Sequence, residues 1–261
     1  MKTLAELRRE QAAYCVGLTE AASAFARDLA ALPEVEAVLL TGSVARGDAR
    51  QAPLGLLVDV LVLSASGAVP LEPMFGANTE PELPFYCPAV RGTGFAVAQE
   101  SLERFAGPKS ESESFALAEA KVLFDRSDKV GIRLGADFPA RQAPRQKVAM
   151  EHYGLYQYLG GPYRWEKWDY REAWTQLAQN AHEAFESFCA FAYARNGSFV
   201  PRKDWLVYLL TEQPNVPADL ASLVDCALRV TPDQAGHAAW QTVYLELDTW
   251  MKHEAAALGW L

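Results

Sequence analysis

Paired cysteines, long apolar runs and clusters of basic residues are all missing from this sequence, and each absence closes off a class of function. The four cysteines, Cys15, Cys87, Cys189 and Cys226, stand far apart and form no CxxC pair, which argues against a zinc ribbon and against a thioredoxin-type redox motif. Free cysteine is among the residue types most often buried, so all four are expected to be buried thiols. No run of Lys and Arg occurs, and the net charge is −9 with a sequence pI of about 5.0. An acidic chain repels phosphate backbones, which argues against nucleic acid as a partner. No apolar run approaches membrane-spanning length, and the first residues, MKTLAELRREQ, turn charged where a signal peptide would be apolar. The expectation is a cytoplasmic protein with no membrane partner; an oligomer stays open. The four histidines, His152, His182, His237 and His253, stand at no metal-ligand spacing. His182-Glu183 lacks the second histidine of a zinc protease.

What is present suits a folded chain. Of the 261 residues, 50% are hydrophobic and 22% charged, enough for one large domain or two ordinary ones. Residues 4 to about 32 are rich in Ala, Leu and Arg with no internal proline, which predicts a helix stopped by Pro33. Val35–Leu40 is a short β-branched run leading into Thr41-Gly42-Ser43, a strand followed by a turn. The run Leu56–Leu63, preceded by Pro53 and Gly55, predicts the strongest strand. Phe85–Val90, Gly94–Val97 and Lys121–Asp125 predict further strands, and Ser101–Phe105 a helical turn.

The character changes after about residue 140. All seven tryptophans lie at or beyond Trp165. Trp174, Leu177, Ala181, Phe185, Phe188 and Ala192 recur at three- and four-residue steps, as do Trp240, Val243, Leu247, Trp250 and Met251. Such stripes mark buried helix faces, so Trp174, Phe185, Trp240 and Trp250 are expected to be buried. Asn196-Gly197 with Pro201 beyond it ends the first stripe. Segments 203–210 and 217–228 also read as helix, and short connections between helices suggest a bundle. The fold class expected is therefore α/β with a small mixed sheet over residues 1–142, followed by an all-α helical bundle over 143–261.

The informative segment is Leu39-Leu40-Thr41-Gly42-Ser43-Val44-Ala45-Arg46-Gly47-Asp48-Ala49-Arg50. Glycine lets the backbone approach a ligand closely, serine adds a hydroxyl, and the free N–H groups of a helix start favour phosphate. Other phosphate motifs fit worse. Gly42 and Gly47 have P-loop spacing, but Asp48-Ala49 stands where Lys-Ser/Thr is required. Gly92-x-Gly94 lacks the third glycine of a dinucleotide fingerprint.

GSVARGDAR followed by a strand reading VDVLVL resembles the nucleotidyltransferase superfamily that includes DNA polymerase beta and the aminoglycoside nucleotidyltransferases. The likeness covers 35–63, with Ala120–Arg126 as a similar closing strand. The segment from Asn196 through Phe199, Pro201 and Lys203 to Trp205 resembles the helical domain of the kanamycin-type enzymes, with Asp204 interrupting the usual Lys-Trp pair. The resemblance implies an α/β nucleotidyltransferase-like domain in which Gly42, Ser43 and Arg46 hold a nucleotide. It also implies that Asp-x-Asp on the strand, with a third carboxylate from its neighbour, holds magnesium.

In this sequence Asp59 takes the second aspartate position, Leu57 stands at the first, and 94–98 contains no acid, with Glu100 just beyond. Asp59 is thus the candidate catalytic and metal residue, or a hydrogen-bonded polar residue near a strand end. Gly42 and Ser43 are a phosphate grip, or a turn with Ser43 as helix N-cap. Arg46 contacts phosphate or covers the short helix, and Asp48 is expected to face solvent. Glu151, Glu166 or Glu172 would supply a general base. Two readings follow. One is a nucleotidyltransferase-like protein with impaired or lost metal-dependent activity, binding a nucleotide or small molecule in a cleft between the halves. The other is an active enzyme using ATP and Mg2+ to move AMP onto a small hydroxyl-bearing acceptor such as an aminoglycoside-like molecule.

Overall fold

The computed structural model describes residues 4–49 and 56–261; Arg50, Pro53 and Gly55 lie outside the described residues. The chain divides into two compact units, Met1–Ala140 and Arg141–Leu261. The first is an α/β unit around a small mixed sheet, and the second is helical.

In the first unit the elements run α1 (Leu4–Ala30), β1 (Val35–Leu40), α2 (Gly42–Arg46), β2 (Leu57–Ser64), α3 (Glu72–Phe75), β3 (Ala89–Val90), β4 (Thr93–Ser101), α4 (Leu102–Ala106), α5 (Glu111–Ala118), β5 (Lys121–Asp125) and α6 (Lys129–Asp137). The strand order is β3-β4-β2-β1-β5, with β2 and β4 parallel and the other pairs antiparallel. Val35, Val38, Leu39 and Leu40 of β1 are fully buried, as expected where a strand is covered on both faces. Ala22, Phe25, Ala26 and Leu29 form the buried stripe of α1, and Phe25 stacks on Phe95 at 4.3 Å. Arg126 secures the passage from α1 to β1, donating to the carbonyls of Ala30, Leu32 and Val35 at 3.0–3.2 Å; the first of these is an acceptor that a helix end leaves open.

Three sequence expectations change here. The strand expected over 85–90 shrinks to Ala89–Val90 plus an isolated bridge between Tyr86 and Val97. Pro88 has no N–H to give a ladder, and the Cys87 N–H is taken by the Asn78 side chain at 2.9 Å. Helix α5 was not anticipated, although Ser110 and Glu113 form a complete capping box at its start. Cys226, expected to be buried, is exposed, whereas Cys15, Cys87 and Cys189 are buried.

The second unit comprises α7 (Gln146–Gly160), α8 (Pro162–Asp169), α9 (Trp174–Arg195), α10 (Lys203–Leu206), a 3₁₀ turn (Tyr208–Glu212), α11 (Leu220–Leu228) and α12 (Gln234–Ala257). Cys226 is exposed because α11 buries the stripe Leu220, Leu223 and Ala227 instead. Helix α9 is the central element, buried almost without interruption from Ala184 to Ala194. Gly160 lets α7 cross closely: a Cβ there would lie 2.7 Å from Ala184 Cβ and 2.9 Å from the Trp240 ring. Trp240 Nε1 donates to the Gly160 carbonyl at 3.1 Å. Phe185 and Trp240 are buried as expected, whereas Trp174 and Trp250 are half-buried. Trp174 begins its helix, and Trp250 packs edge-on against Phe188 and Phe191. No helix among the described residues is long and apolar enough to cross a membrane.

Candidate functional site

The end of β1 and the start of α2 meet β2 at one residue. The Thr41 N–H donates to the Asp59 carbonyl at 3.0 Å, which pins the turn to β2. Gly42 follows in the left-handed region, with φ +67°. A Cβ on Gly42 would lie 2.1 Å from Asp59 Oδ2, so the backbone angle favours glycine here and the carboxylate adds to the preference. Asp59 is exposed. The structure thus brings Gly42 and Asp59 together across 17 positions of sequence.

Ser43 does not cap the helix. Thr41 occupies the N-cap position, no side chain caps α2, and Ser43 lies half-buried within its first turn. The turn closes through Gly47, at φ +80°, whose N–H bonds to Val44 O at 3.2 Å while the Asp48 N–H bonds to Ser43 O at 3.0 Å.

Arg46 turns inward. Its side chain is 7% exposed, and Nε faces Asp48 Oδ2 at 3.2 Å and Glu119 Oε2 at 3.5 Å. Asp48, expected to face solvent, has a side chain that is 0% exposed. The left-handed Gly47 folds residue 48 back toward the guanidinium two positions before it, and a buried carboxylate needs such a partner. Sequence reading missed Glu119, which stands between α5 and β5 in no recognisable motif. Burial pushes its carboxyl up to about 7; Asp48 adds to the rise, while Arg46 and Arg8 oppose it.

The surroundings of Asp59 decide what it can hold. Leu57 and Asp59 lie two apart on β2, hence on one face. Across the parallel pair, Gly94 stands beside Leu57 and Ala96 beside Asp59. Leu57 lies over Gly94 so closely that a Cβ there would be 2.8 Å from Leu57 Cδ2. The position expected for a first acid is therefore an apolar wall. Glu100 is no substitute, since it stands four residues beyond Ala96, about 13 Å along a strand. It is also ion-paired to Lys109 and lies 3.5 Å from Arg104 Nε. Among the described residues, no group of three or more His, Cys, Asp and Glu is placed to hold a metal ion.

The three acids considered as bases lie in the helical unit. Glu151 borders an open depression of about 490 Å³ with Gln146, Lys147 and Met150 on α7. Glu166 borders one of about 340 Å³ with Tyr163, Lys167, Tyr170 and Arg171. Glu172 sits in the turn before α9 at φ +50°.

No family model matches the chain, and no curated protein matches it. Among solved structures the chain is similar to a nucleotidyltransferase-like protein from Exiguobacterium sibiricum 255-15, at 12% identity and a TM-score of 0.46. The match covers 91% of this chain and 76% of that one.

Proposed function

We propose that the first unit is a nucleotidyltransferase-like domain that has lost efficient metal-dependent transfer and binds a nucleotide or a similar small ligand along the Gly42–Ser43 turn beside Asp59. The observation that carries this reading is the Leu57–Gly94 wall next to an exposed Asp59 at the glycine turn. Magnesium demands near-octahedral oxygen coordination, and one carboxylate beside Leu57, Gly94 and Ala96 does not fit a pair of such ions. Without close cations, a triphosphate meets Asp59 and a chain of net charge −9, each like charge at 4 Å costing about 1 kcal/mol in water. Backbone N–H groups of the turn are the neutral donors that remain for phosphate. Arg46, held by Asp48 and Glu119, organises the turn in this reading and does not reach the ligand.

Calorimetric titration with ATP and Mg2+, run beside a radiolabel-transfer assay on aminoglycosides and other small hydroxyl-bearing acceptors, tests the reading. Weak binding and no transfer are expected. Robust AMP transfer abolished by Asp59→Ala would sink it and establish the active enzyme instead. Leu57→Asp is the converse experiment: magnesium binding gained in a folded variant marks a vestigial metal site.

A further inference from the structure

Beneath the Gly42–Ser43 turn, a single nitrogen, Arg46 Nε, faces two carboxylates, those of Asp48 and Glu119. The three groups come from the end of α2, from the residue after the left-handed Gly47, and from the residue closing α5. Asp48 Oδ1 is buried and has no hydrogen-bond partner. A buried carboxylate, Asp48, and a half-buried one, Glu119, beside one guanidinium favour protonation of the one less well compensated. Facing Glu119 are Arg46 from α2, Arg8 from α1 and Asp48 from the turn. On the Asp48 side stands Cys15 of α1, whose thiol donates to Ala49 O at 3.4 Å and feels the charges of both Asp48 and Lys121 of β5.

We propose that Glu119 and Asp48 are positioning residues for the Gly42–Ser43 turn, acting through Arg46, and that the proton on Glu119 sets how firmly the turn is held. As a means of regulating ligand binding, this rests on the reading of that turn as the ligand-facing edge. The mechanical link is short, because Arg46 and Asp48 flank Gly47, and the amides of Gly47 and Asp48 close the far end of the short α2 on the carbonyls of Val44 and of Ser43 itself. When Glu119 swings into water its carboxyl ionises near 4.5, and when buried near 7. A raised folded-state value contributes stability that is complete below the lower value and lost as pH rises through the upper one. The closed form is therefore tightest at low pH, opens more readily as pH rises from 4.5 and the open carboxyl ionises, and levels off above about 7.

Carboxyl-carbon NMR of Glu119, with hydrogen exchange at the Gly47 and Asp48 amides of the full chain, reads both halves of the proposal. After correction for base-catalysed intrinsic exchange, protection of these amides is expected to fall roughly tenfold between pH 6 and pH 8. Glu119→Gln fixes the neutral form and should leave protection flat over that range. Asp48→Asn removes the opposing charge and should move the Glu119 midpoint down. If Glu119→Gln does not fold, the Asp48→Asn shift decides. A Glu119 midpoint in the ordinary carboxylate range, an Asp48→Asn variant that leaves it unmoved, or wild-type protection as flat as that of Glu119→Gln, overturns the proposal. ATP plays no part in these readouts. A turn that titrates in a chain that binds no ATP keeps the positioning role and removes the ligand reading alone.

Discussion

Each unit turns on a left-handed glycine, and the two glycines meet different neighbours. Gly197, at φ +70°, ends α9, and a Cβ there would lie 1.9 Å from the Gln142 carbonyl oxygen. Its own carbonyl accepts from the Gln142 N–H at 2.8 Å. The Asn196 side chain beside it donates to Ala192 O and Asn215 O and accepts from the Asn215 N–H. That turn is a backbone clasp, with nothing able to yield. Gly42 meets a side chain, that of the exposed Asp59, whose carboxylate is the nearest group. Crowding against backbone fixes the first turn to the chain itself, whereas crowding against a carboxylate puts a charged, exposed side chain at the second.

The largest effect should come from the clasp. Gly197→Ala adds both left-handed strain and a backbone clash, expected to cost about 3 kcal/mol; denaturant unfolding measures it, and a loss below about 1 kcal/mol breaks the comparison. Next is the pH dependence of the first unit. Between pH 4.5 and 7 its stability should fall by about 2 kcal/mol, discounted for the water that reaches the carboxyl, because Glu119 ionises in the unfolded chain while it keeps its proton in the fold. Melts of the wild type and Glu119→Gln across that range check it, the variant losing this component. Gly42→Ala should cost about 1.5 kcal/mol, falling to about 1 kcal/mol in an Asp59→Ala background, because the backbone strain and the contact with the residue 59 Cβ remain while the carboxylate is gone. A double-mutant cycle without coupling would mean that the two residues do not press on each other in solution. The smallest effect is Asp59→Asn, which should change stability by less than about 0.5 kcal/mol. A larger loss would make Asp59 a structural residue and weaken the contrast with Gly197.

The sequence by itself determined most of the periodic structure. β1 falls at Val35–Leu40, as its β-branched run indicated, β5 falls at Lys121–Asp125 as expected, and the stripe from Trp174 became α9. Apolar periodicity is a local signal and needs no knowledge of neighbours. Gly197 was legible for the same reason, since a helix stop is written within a few residues. The Gly42-to-Asp59 region was legible as a glycine turn and a strand, while the pressure between them was not, because it depends on how β1 and β2 pair. Tertiary structure alone decided the fate of the charges. Asp48 went inward because Gly47 folds it onto Arg46, and Glu119 joined it from across the sheet unit. The position beside Asp59 became an apolar wall because β4 pairs in parallel with β2 and sets Gly94 under Leu57. A charge is stabilised by whatever the fold brings within a few ångströms of it, and the order of residues along the chain does not contain that information.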